Sequence, residues 1–163
     1  MGTLKLQVMG AERMRVVARR IKEVGRTDLR DRLQREIRDV ADDCVQDVKR
    51  AVLSIPAKGA PKRRGAAGVR RRTAGAVGLE VRTTGPEIGV AIVCRTARLG
   101  DKHAMPGLLN RAKGWRHPVY GNRNVWVHQM GRPWFDATIR QHEDDLRRHL
   151  IRVLDEIESQ VWR

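Results

Sequence analysis

Histidine and cysteine are the first candidates for chemistry in this sequence, because both bind metals and take part in catalysis. The five histidines are spread over several segments, and only His142 and His149 share one predicted helix. Seven residues of helix separate two side chains by about 10 Å, too far for joint binding of one metal ion. Cys44 and Cys94 match no metal-binding or redox spacing, so we interpret them as buried thiols of a reducing cytosol. We therefore predict no metal site and no cofactor.

Nucleophiles and phosphate-binding motifs are equally sparse. Ser54 and Ser159, the two serines, lie near the ends of predicted helices, where capping is an ordinary role. The glycines between residues 65 and 78 accompany arginines and lack the spacing of a P-loop or Rossmann turn. The acidic pair Asp144–Asp145 lies on a solvent-facing helix arc and does not suggest a two-metal site. We therefore predict that the protein is not an enzyme.

Positive charge is the strongest feature of the composition, with a net charge of +15 at pH 7 and a pI near 11.3. Residues 1–55 carry +4 and residues 134–163 carry −2, so the middle holds +13. A charge localised in this way predicts one face turned toward an anionic partner, either DNA or an acidic protein. No helix-turn-helix spacing or zinc-finger signature is present, so sequence-independent, salt-sensitive DNA binding of the nucleoid type is the alternative function.

The segment 56–76 concentrates this charge, with seven basic residues, four glycines and no acidic residue. Glycine and like-charge repulsion predict an extended loop in the isolated monomer. Three roles stay open for it: a solvated linker, an arm ordered against a neighbouring subunit, and a contact with the phosphates of DNA. The arginines predicted to contact a partner are Arg63, Arg64, Arg70, Arg71 and Arg72.

Aromatic residues are concentrated in residues 115–135, which hold three of the four tryptophans, the tyrosine and the phenylalanine. Gly121 and Asn122 tolerate positive φ, so the stretch predicts a hairpin with a short connection. Trp126 and Trp134 either pack in the core or contact a partner, and the sequence leaves both roles open. Tryptophan, tyrosine and arginine dominate the energetics of interfaces. The residues of this stretch predicted to lie at an interface are Trp115, Tyr120, Arg123 and Trp126.

The same stretch carries a resemblance to a known family. His117–Arg123, followed by Val125–Val127, Gln129 and Pro133–Phe135 before a terminal helix, resembles the neck or tail-completion (head–tail joining) proteins of long-tailed phages. That family is typified by gene product ten of the lambdoid phage HK ninety-seven, and this version is most similar to those of phages that infect actinobacteria.

The resemblance implies a virion structural protein at the head–tail junction, assembled in the host cytoplasm. It implies a homo-oligomeric ring between the head-closure or connector complex and the tail terminator or tail-tube proteins. A sixfold ring would match the symmetry of the tail. The basic loop could also contact DNA that passes through the ring.

Hydrophobic periodicity predicts the elements of the N-terminal half. Alternation predicts a short strand at residues 3–8, and helical spacing predicts a first helix from Ala11 to a stop at Gly25. If Gly25 only kinks the chain, this helix and the next form one bent rod. The second helix is the clearest element, with Thr27 or Asp28 as its N-cap and its end at Pro56.

The C-terminal half predicts two hairpins and a helix. Residues 77–81 and 88–94 alternate, and the second of these strands is apolar enough to be covered on both faces. Residues 95–114 show no sustained period and predict a loop, with one buried turn near Leu108. The last helix is predicted from about Pro133 to Val161, with proline in its first turn.

Together these elements predict a single α+β domain over residues 1–163. Its small antiparallel sheet would contain both hairpins, 77–94 and 117–128, and could be joined by the first strand. The sheet would pack against a long N-terminal helical segment and a C-terminal amphipathic helix. No stretch approaches eighteen consecutive apolar residues, so no membrane span is expected, and the N-terminus lacks the pattern of a signal peptide.

A closed ring uses a head-to-tail interface, which requires two different surfaces on each copy. We expect the basic middle of one copy to face the acidic side of the final helix in the next. The alternative is that these acidic residues form an ordinary solvated helix face. The acidic candidates are Glu143, Asp144, Asp155, Glu156 and Glu158.

Overall fold

The structure, a computed structural model, describes residues 4–9, 11–56, 68–85, 88–119 and 121–162. It confirms the predicted α+β class, with long helices packed against a small antiparallel sheet. The α-helices are α1 (Ala11–Glu23), α2 (Thr27–Leu53), α3 (Val69–Ala76), α4 (Met105–Asn110) and α5 (Asp136–Val161). The remaining elements are β1 (Leu4–Met9), β2 (Val77–Arg82), β3 (Gly89–Cys94), a 3-10 helix (Thr96–Lys102), β4 (Trp115–Val119) and β5 (Asn122–Gln129). None of these helices has both the length and the apolar character needed to cross a membrane.

The first two helices are separated at Gly25, as predicted. Its φ of +69° is a conformation that glycine adopts without strain, so the chain turns here and does not form one bent rod. The predicted N-cap of α2 is wrong. Arg26 holds the N-cap position, where no side chain caps the helix, and its guanidinium binds the carboxylate of Asp28.

Helices α2 and α5 pack antiparallel to each other. Near the end of α2, Asp47 accepts a 2.9 Å contact from the ring of His142, which lies near the start of α5. At the other end, the guanidinium of Arg32 lies 3.7 Å from the carboxylate of Glu156. Apolar residues at helical spacing form the buried face of each helix, as expected for amphipathic helices. The buried residues are Leu29, Leu33, Ile37, Ala41, Cys44, Val45, Val48 and Val52 on α2, and Ile139, Leu146, Leu150, Val153, Leu154, Ile157 and Val161 on α5.

Helix α5 begins later than predicted, because a side chain of α4 fixes its start. The helix starts at Asp136 with Phe135 in the N-cap position, so the expected place of Pro133 in its first turn is wrong. The Asn110 amide oxygen accepts a hydrogen bond from the Phe135 N–H at 2.9 Å, and its NH2 group donates to the Asp136 carboxylate at 2.9 Å. Asn110, which is distant in the sequence, thus binds the first residues of the helix, where the N-cap residue Phe135 makes no side-chain cap.

The three-stranded sheet has the order β1–β3–β2, with both pairs antiparallel. The predicted hairpin of β2 and β3 is confirmed, and the N-terminal strand joins it by pairing with β3. All six residues of β3 are buried, which confirms the expectation of a strand covered on both faces. Successive side chains point to opposite faces of a sheet, so cover on both faces lets this strand be apolar at every position without a solvation cost.

The aromatic hairpin does not belong to this sheet. Strands β4 and β5 pair only with each other in the described part of the chain and form a separate two-stranded sheet. The prediction of one sheet containing both hairpins is therefore wrong.

Two segments predicted as loops contain helices. Residues 69–76 form α3, which packs against α2 and buries Thr73, Ala74 and Ala76. The prediction of a loop over 56–76 is wrong for this part, and residues 57–67 of that loop lie outside the described residues. Between 95 and 114 the chain forms the 3-10 helix and α4, and the buried turn expected there is confirmed by Leu109, which is 2% exposed. Tertiary burial of a few small or apolar side chains stabilises these short helices, although their periodicity is too brief to detect.

Candidate interaction surface

The β4–β5 hairpin leaves the body of the protein between two crowded glycines, Gly114 and Gly131. A Cβ on Gly114 would lie 2.2 Å from the carbonyl oxygen of Gln129, and one on Gly131 would lie 2.4 Å from that of Arg111. Gly114 also has a φ of +70°, which other residues adopt only with strain. The N–H of Arg132 donates to a carbonyl of α4 at 2.8 Å. Backbone contacts that require glycine therefore fix the base of the hairpin.

Beyond this base the hairpin is mostly exposed to solvent. Every residue of β5 is exposed except Gln129 at its end, which is half-buried. Four large hydrophobic side chains of the stretch are exposed and form what we call the hairpin patch: Val125 (49%), Trp126 (49%), Val127 (39%) and Met130 (61%). An isolated two-stranded hairpin is only marginally stable in water, and several exposed apolar side chains concentrated on one such hairpin favour an interaction site. The hairpin patch is thus the strongest candidate for a partner surface.

Alternation along the strands gives the hairpin two faces. Val127 lies opposite His117 on one face, and Trp126 lies opposite Pro118 on the other. The indole N–H of Trp126 donates to the carbonyl oxygen of Arg123 at 2.7 Å, which holds the ring beside the exposed Arg123. Because apolar side chains occupy both faces, the hairpin is suited to contact with other surfaces more than to covering its own core.

The tryptophans of this stretch have different environments. Trp134 is 3% exposed and its ring meets that of Phe135 edge-on, with centroids 5.4 Å apart, so it is a core residue. Trp115 is half-buried at the base of the hairpin and packs against the core. Trp126 is exposed and available for contact. Tyr120, the other predicted aromatic contact, lies outside the described residues.

Helix α3 carries three of the predicted arginines, and two of them are bound within the chain. Arg70 donates from Nη2 to the carbonyl oxygen of Pro56 at 2.7 Å, and burial lowers the pKa of its guanidinium. Arg72 donates from Nη2 to the carbonyl oxygen of Leu99 at 2.8 Å. Arg71 is exposed, and of the three it has the clearest access to a partner. The predicted arginines outside the described residues are Arg63 and Arg64.

The predicted contacts form two neighbouring groups. Arg123 and Trp126 lie together near the tip of the hairpin, with Trp115 at its base. The arginines of α3 form the second group. Arg70 of this group binds the carbonyl oxygen of Pro56, and Pro56 also lines a concave surface of about 830 Å³ along the hairpin.

A cationic cleft between α1, α2 and the β2–β3 turn is absent from the predictions made from sequence. It encloses about 700 Å³, and its lining includes the apolar residues Ala18, Ile21 and Leu33. The basic residues that line it are Arg15, Arg19, Lys22, Arg26 and Arg30. Such a cleft attracts carboxylates or phosphates. The arginines on the polar face of α1 are the feature of the sequence that could have indicated this cleft. Their spacing does not show that α2 and the β2–β3 turn form its other walls.

Three of the five acidic candidates on α5 are already paired within the chain. Arg13 of α1 binds Asp155 and lies 3.6 Å from Glu158, and Glu156 is the acidic residue beside Arg32 of α2. These contacts hold the end of α5 against the first two helices. Glu143 and Asp144 are exposed near the start of the same helix.

Among the described residues, no three histidine, cysteine or acidic side chains are close enough to hold a metal ion. Burial raises the pKa of both cysteine thiols, Cys44 and Cys94, to about 11, which keeps them protonated. The hydroxyl groups of Ser54 and Ser159 each donate to a carbonyl oxygen of the preceding helical turn.

Comparison of the chain with protein-family models, curated proteins and solved structures finds no match in any of the three.

Proposed function

We propose that the protein is a structural subunit of the neck of a long-tailed phage, where copies form a ring that joins the head-closure complex to the tail. The observation that carries the proposal is the exposed hairpin β4–β5, whose apolar side chains the described residues leave about half uncovered. The residues of this hairpin are also those that resemble the head–tail joining family. A subunit whose function is assembly requires such a surface.

The charge of the chain also supports this role. A ring that surrounds DNA benefits from basic residues, and residues 102–135 contain six basic residues and no acidic one. The exposed Arg71 and Arg123 are the basic residues that we assign to contacts with neighbouring virion proteins or with DNA in the lumen.

The proposal is tested by the composition and assembly of phage particles. The protein should be present in purified virions, at the junction between head and tail. Trp126→Ala should lower the fraction of joined particles seen by electron microscopy, with separate heads and tails accumulating. Leu53→Ala, which also removes an exposed hydrophobic side chain but outside the hairpin, should leave joining unchanged. Absence of the protein from mature virions would rule out the proposal.

Sequence-independent binding of duplex DNA is the second candidate function, and the cationic cleft is the observation that favours it. A protein of this type should be retained on duplex DNA of any sequence, with affinity that falls steeply as salt rises. The neck role predicts little retention at physiological salt. Strong retention at physiological salt, together with absence from virions, would favour the DNA-binding function.

A further inference from the structure

The neck role gives no task to the cationic cleft between α1, α2 and the β2–β3 turn, which encloses about 700 Å³. This volume lies within the range of roughly 300–1,000 Å³ typical of ligand pockets. The described lining contains no acidic residue, and its basic residues are Arg15, Arg19, Lys22, Arg26 and Arg30.

Two of these cations have a carboxylate beside them. Arg26 lies 2.8 Å from Asp28, and Arg30 lies 3.7 Å from Asp31. Five basic residues minus these two aspartates leave a net charge of +3 at the cleft. The cleft therefore keeps an excess of positive charge after its neighbours are counted, and it attracts an anionic ligand.

Internal contacts hold the walls of the cleft in place. The side-chain amide of Gln34 on α2 donates to the hydroxyl group of Thr83 at 3.3 Å, which ties the β2–β3 turn to α2. At the corner between α1 and α2, the N–H of Arg26 donates to the carbonyl oxygen of Ile21 at 3.2 Å. These contacts form the cleft before a ligand arrives, which reduces the free-energy cost of binding.

Arg19 and Lys22 are the cations of the cleft with the clearest access to a ligand. Both are exposed on α1, and neither forms an ion pair within the part of the chain that the structure describes. Arginine binds a carboxylate through two parallel hydrogen bonds, and lysine adds a compact charge with three donors. The pair can therefore hold two carboxylates of one ligand.

Apolar side chains line the cleft together with the basic ones. Ile88 in the turn is half-buried, and Ala18, Ile21 and Leu33 are buried. A phosphate backbone gains nothing from apolar surface, whereas a leucine or valine side chain does. The described lining also has no aromatic ring on which a base could stack. Its chemistry favours a peptide that carries both carboxylates and apolar side chains over a nucleic acid.

We propose that the cleft binds an acidic peptide segment of a partner protein, whose carboxylates pair with Arg19 and Lys22 while an apolar side chain contacts Ile88. A second copy of this chain carries the same net charge of +15, so a different, acidic protein is the more complementary partner. The inference goes beyond the neck role and does not rest on it, because it concerns a surface apart from the hairpin. The presence of the protein in virions tests the neck role alone.

The probe is a short fluorescent peptide in which glutamate and leucine alternate, and fluorescence anisotropy measures its binding to the full chain. The double variant Arg19→Gln, Lys22→Gln should bind this peptide about tenfold more weakly than the unmodified protein, the size expected for the loss of two exposed ion pairs. Both side chains are exposed, so the circular dichroism spectrum should stay unchanged. Absence of saturable binding by the unmodified protein would overturn the inference.

A matched control separates the cleft from the overall charge of the protein. Arg147→Gln, Arg152→Gln removes the same charge from exposed positions of α5, which does not line the cleft. This variant should bind the peptide like the unmodified protein. Equal losses in the two double variants would show a response to total charge, and the cleft would not be the site.

Two further measurements distinguish a peptide from other anions. A peptide with serine in place of leucine should bind about fivefold more weakly, because it cannot use the apolar lining. Equal affinity for the two peptides would contradict the role assigned to Ile88. Binding of duplex DNA should fall to the same extent in both double variants. A selective fall in the variant of the cleft would identify a phosphate site and overturn the inference.

Discussion

Single glycines determine where the hairpin leaves the protein. Gly114 and Gly131 lie on either side of it, and each approaches a backbone carbonyl oxygen too closely to carry a side chain. Gly121, at the tip, has a φ of +83° but open space around its Cα in the described structure. The three residues look alike in the sequence, yet only the first two fix the direction of the hairpin.

These differences predict unequal effects of alanine substitution. Gly114→Ala should lower the free energy of unfolding by about 3 kcal/mol, because the methyl group meets the Gln129 carbonyl and the positive φ adds strain. Gly121→Ala adds the strain alone and should cost about 1 kcal/mol. Urea denaturation followed by circular dichroism measures both. Equal losses for the two variants would show that the close approach at Gly114 is not important.

Asp47 predicts a dependence of stability on pH. Its hydrogen bond with Arg50 and, to a smaller extent, its contact with His142 lower the pKa of its carboxyl below the usual 3.8. Because the folded-state pKa is below the unfolded-state value, the stabilisation is present above about pH 4. It is lost as the pH falls through the lowered pKa.

Asp47→Asn should therefore reduce the free energy of unfolding at pH 7 by about 0.5–1 kcal/mol, the range of a partly exposed ion pair. The difference from the unmodified protein should shrink as the pH falls below 4. Asp42→Asn is the matched control, since Asp42 contacts the neutral amide of Gln46. Thermal unfolding at several pH values measures the difference in stability between the variant and the unmodified protein. A difference that stays the same at every pH would contradict the assignment.

At the scale of the elements, the central strand β3 joins the other two strands of its sheet. It pairs with strands on both sides, and Ile92 is fully buried within the hydrophobic core. Among the described strands, the edge strand β2 pairs only with β3, and its Leu79, opposite Ile92, is half-buried. The hairpin β4–β5 has the opposite character, because it contributes little to the core and exposes most of its surface.

Truncations of the paired residues in these strands should differ in cost. Ile92→Ala should lower the free energy of unfolding by about 3 kcal/mol, as expected for a large cavity in a packed core. Leu79→Ala should cost roughly half as much, because part of its side chain already contacts water. Chemical denaturation of both variants checks the order, and a larger loss for Leu79→Ala would contradict the assignment of β3 as the central element.

At the scale of the whole molecule, a net charge of +15 opposes association between copies. Salt screens this repulsion over a distance of about 10 Å at 0.1 M, whereas apolar contacts made by the hairpin patch are little affected. Self-association of the purified protein should therefore strengthen between about 20 and 150 mM salt. Binding to DNA should weaken over the same range. Sedimentation at several ionic strengths measures the first effect, and self-association that weakens steadily with salt would indicate that ion pairs dominate the contact.

The sequence by itself determined the features that depend on local periodicity and composition. Each long amphipathic helix and each hairpin spans enough residues to repeat its pattern, and the structure contains all of them. The stop at Gly25 depends on a single residue, whose lack of a side chain permits the turn. It also identified the region of the candidate surface, because rare aromatic residues concentrated in one stretch need no tertiary information to be noticed.

Only the tertiary structure decided which of these side chains are exposed and which elements lie together. Trp126 and Trp134 have the same chemistry, yet one is at the surface and the other is in the core, because burial depends on what packs against a residue. The pairing of Asp155 with Arg13 joins residues far apart in the chain. The separate two-stranded sheet and the cationic cleft also follow from long-range packing, which no local pattern encodes.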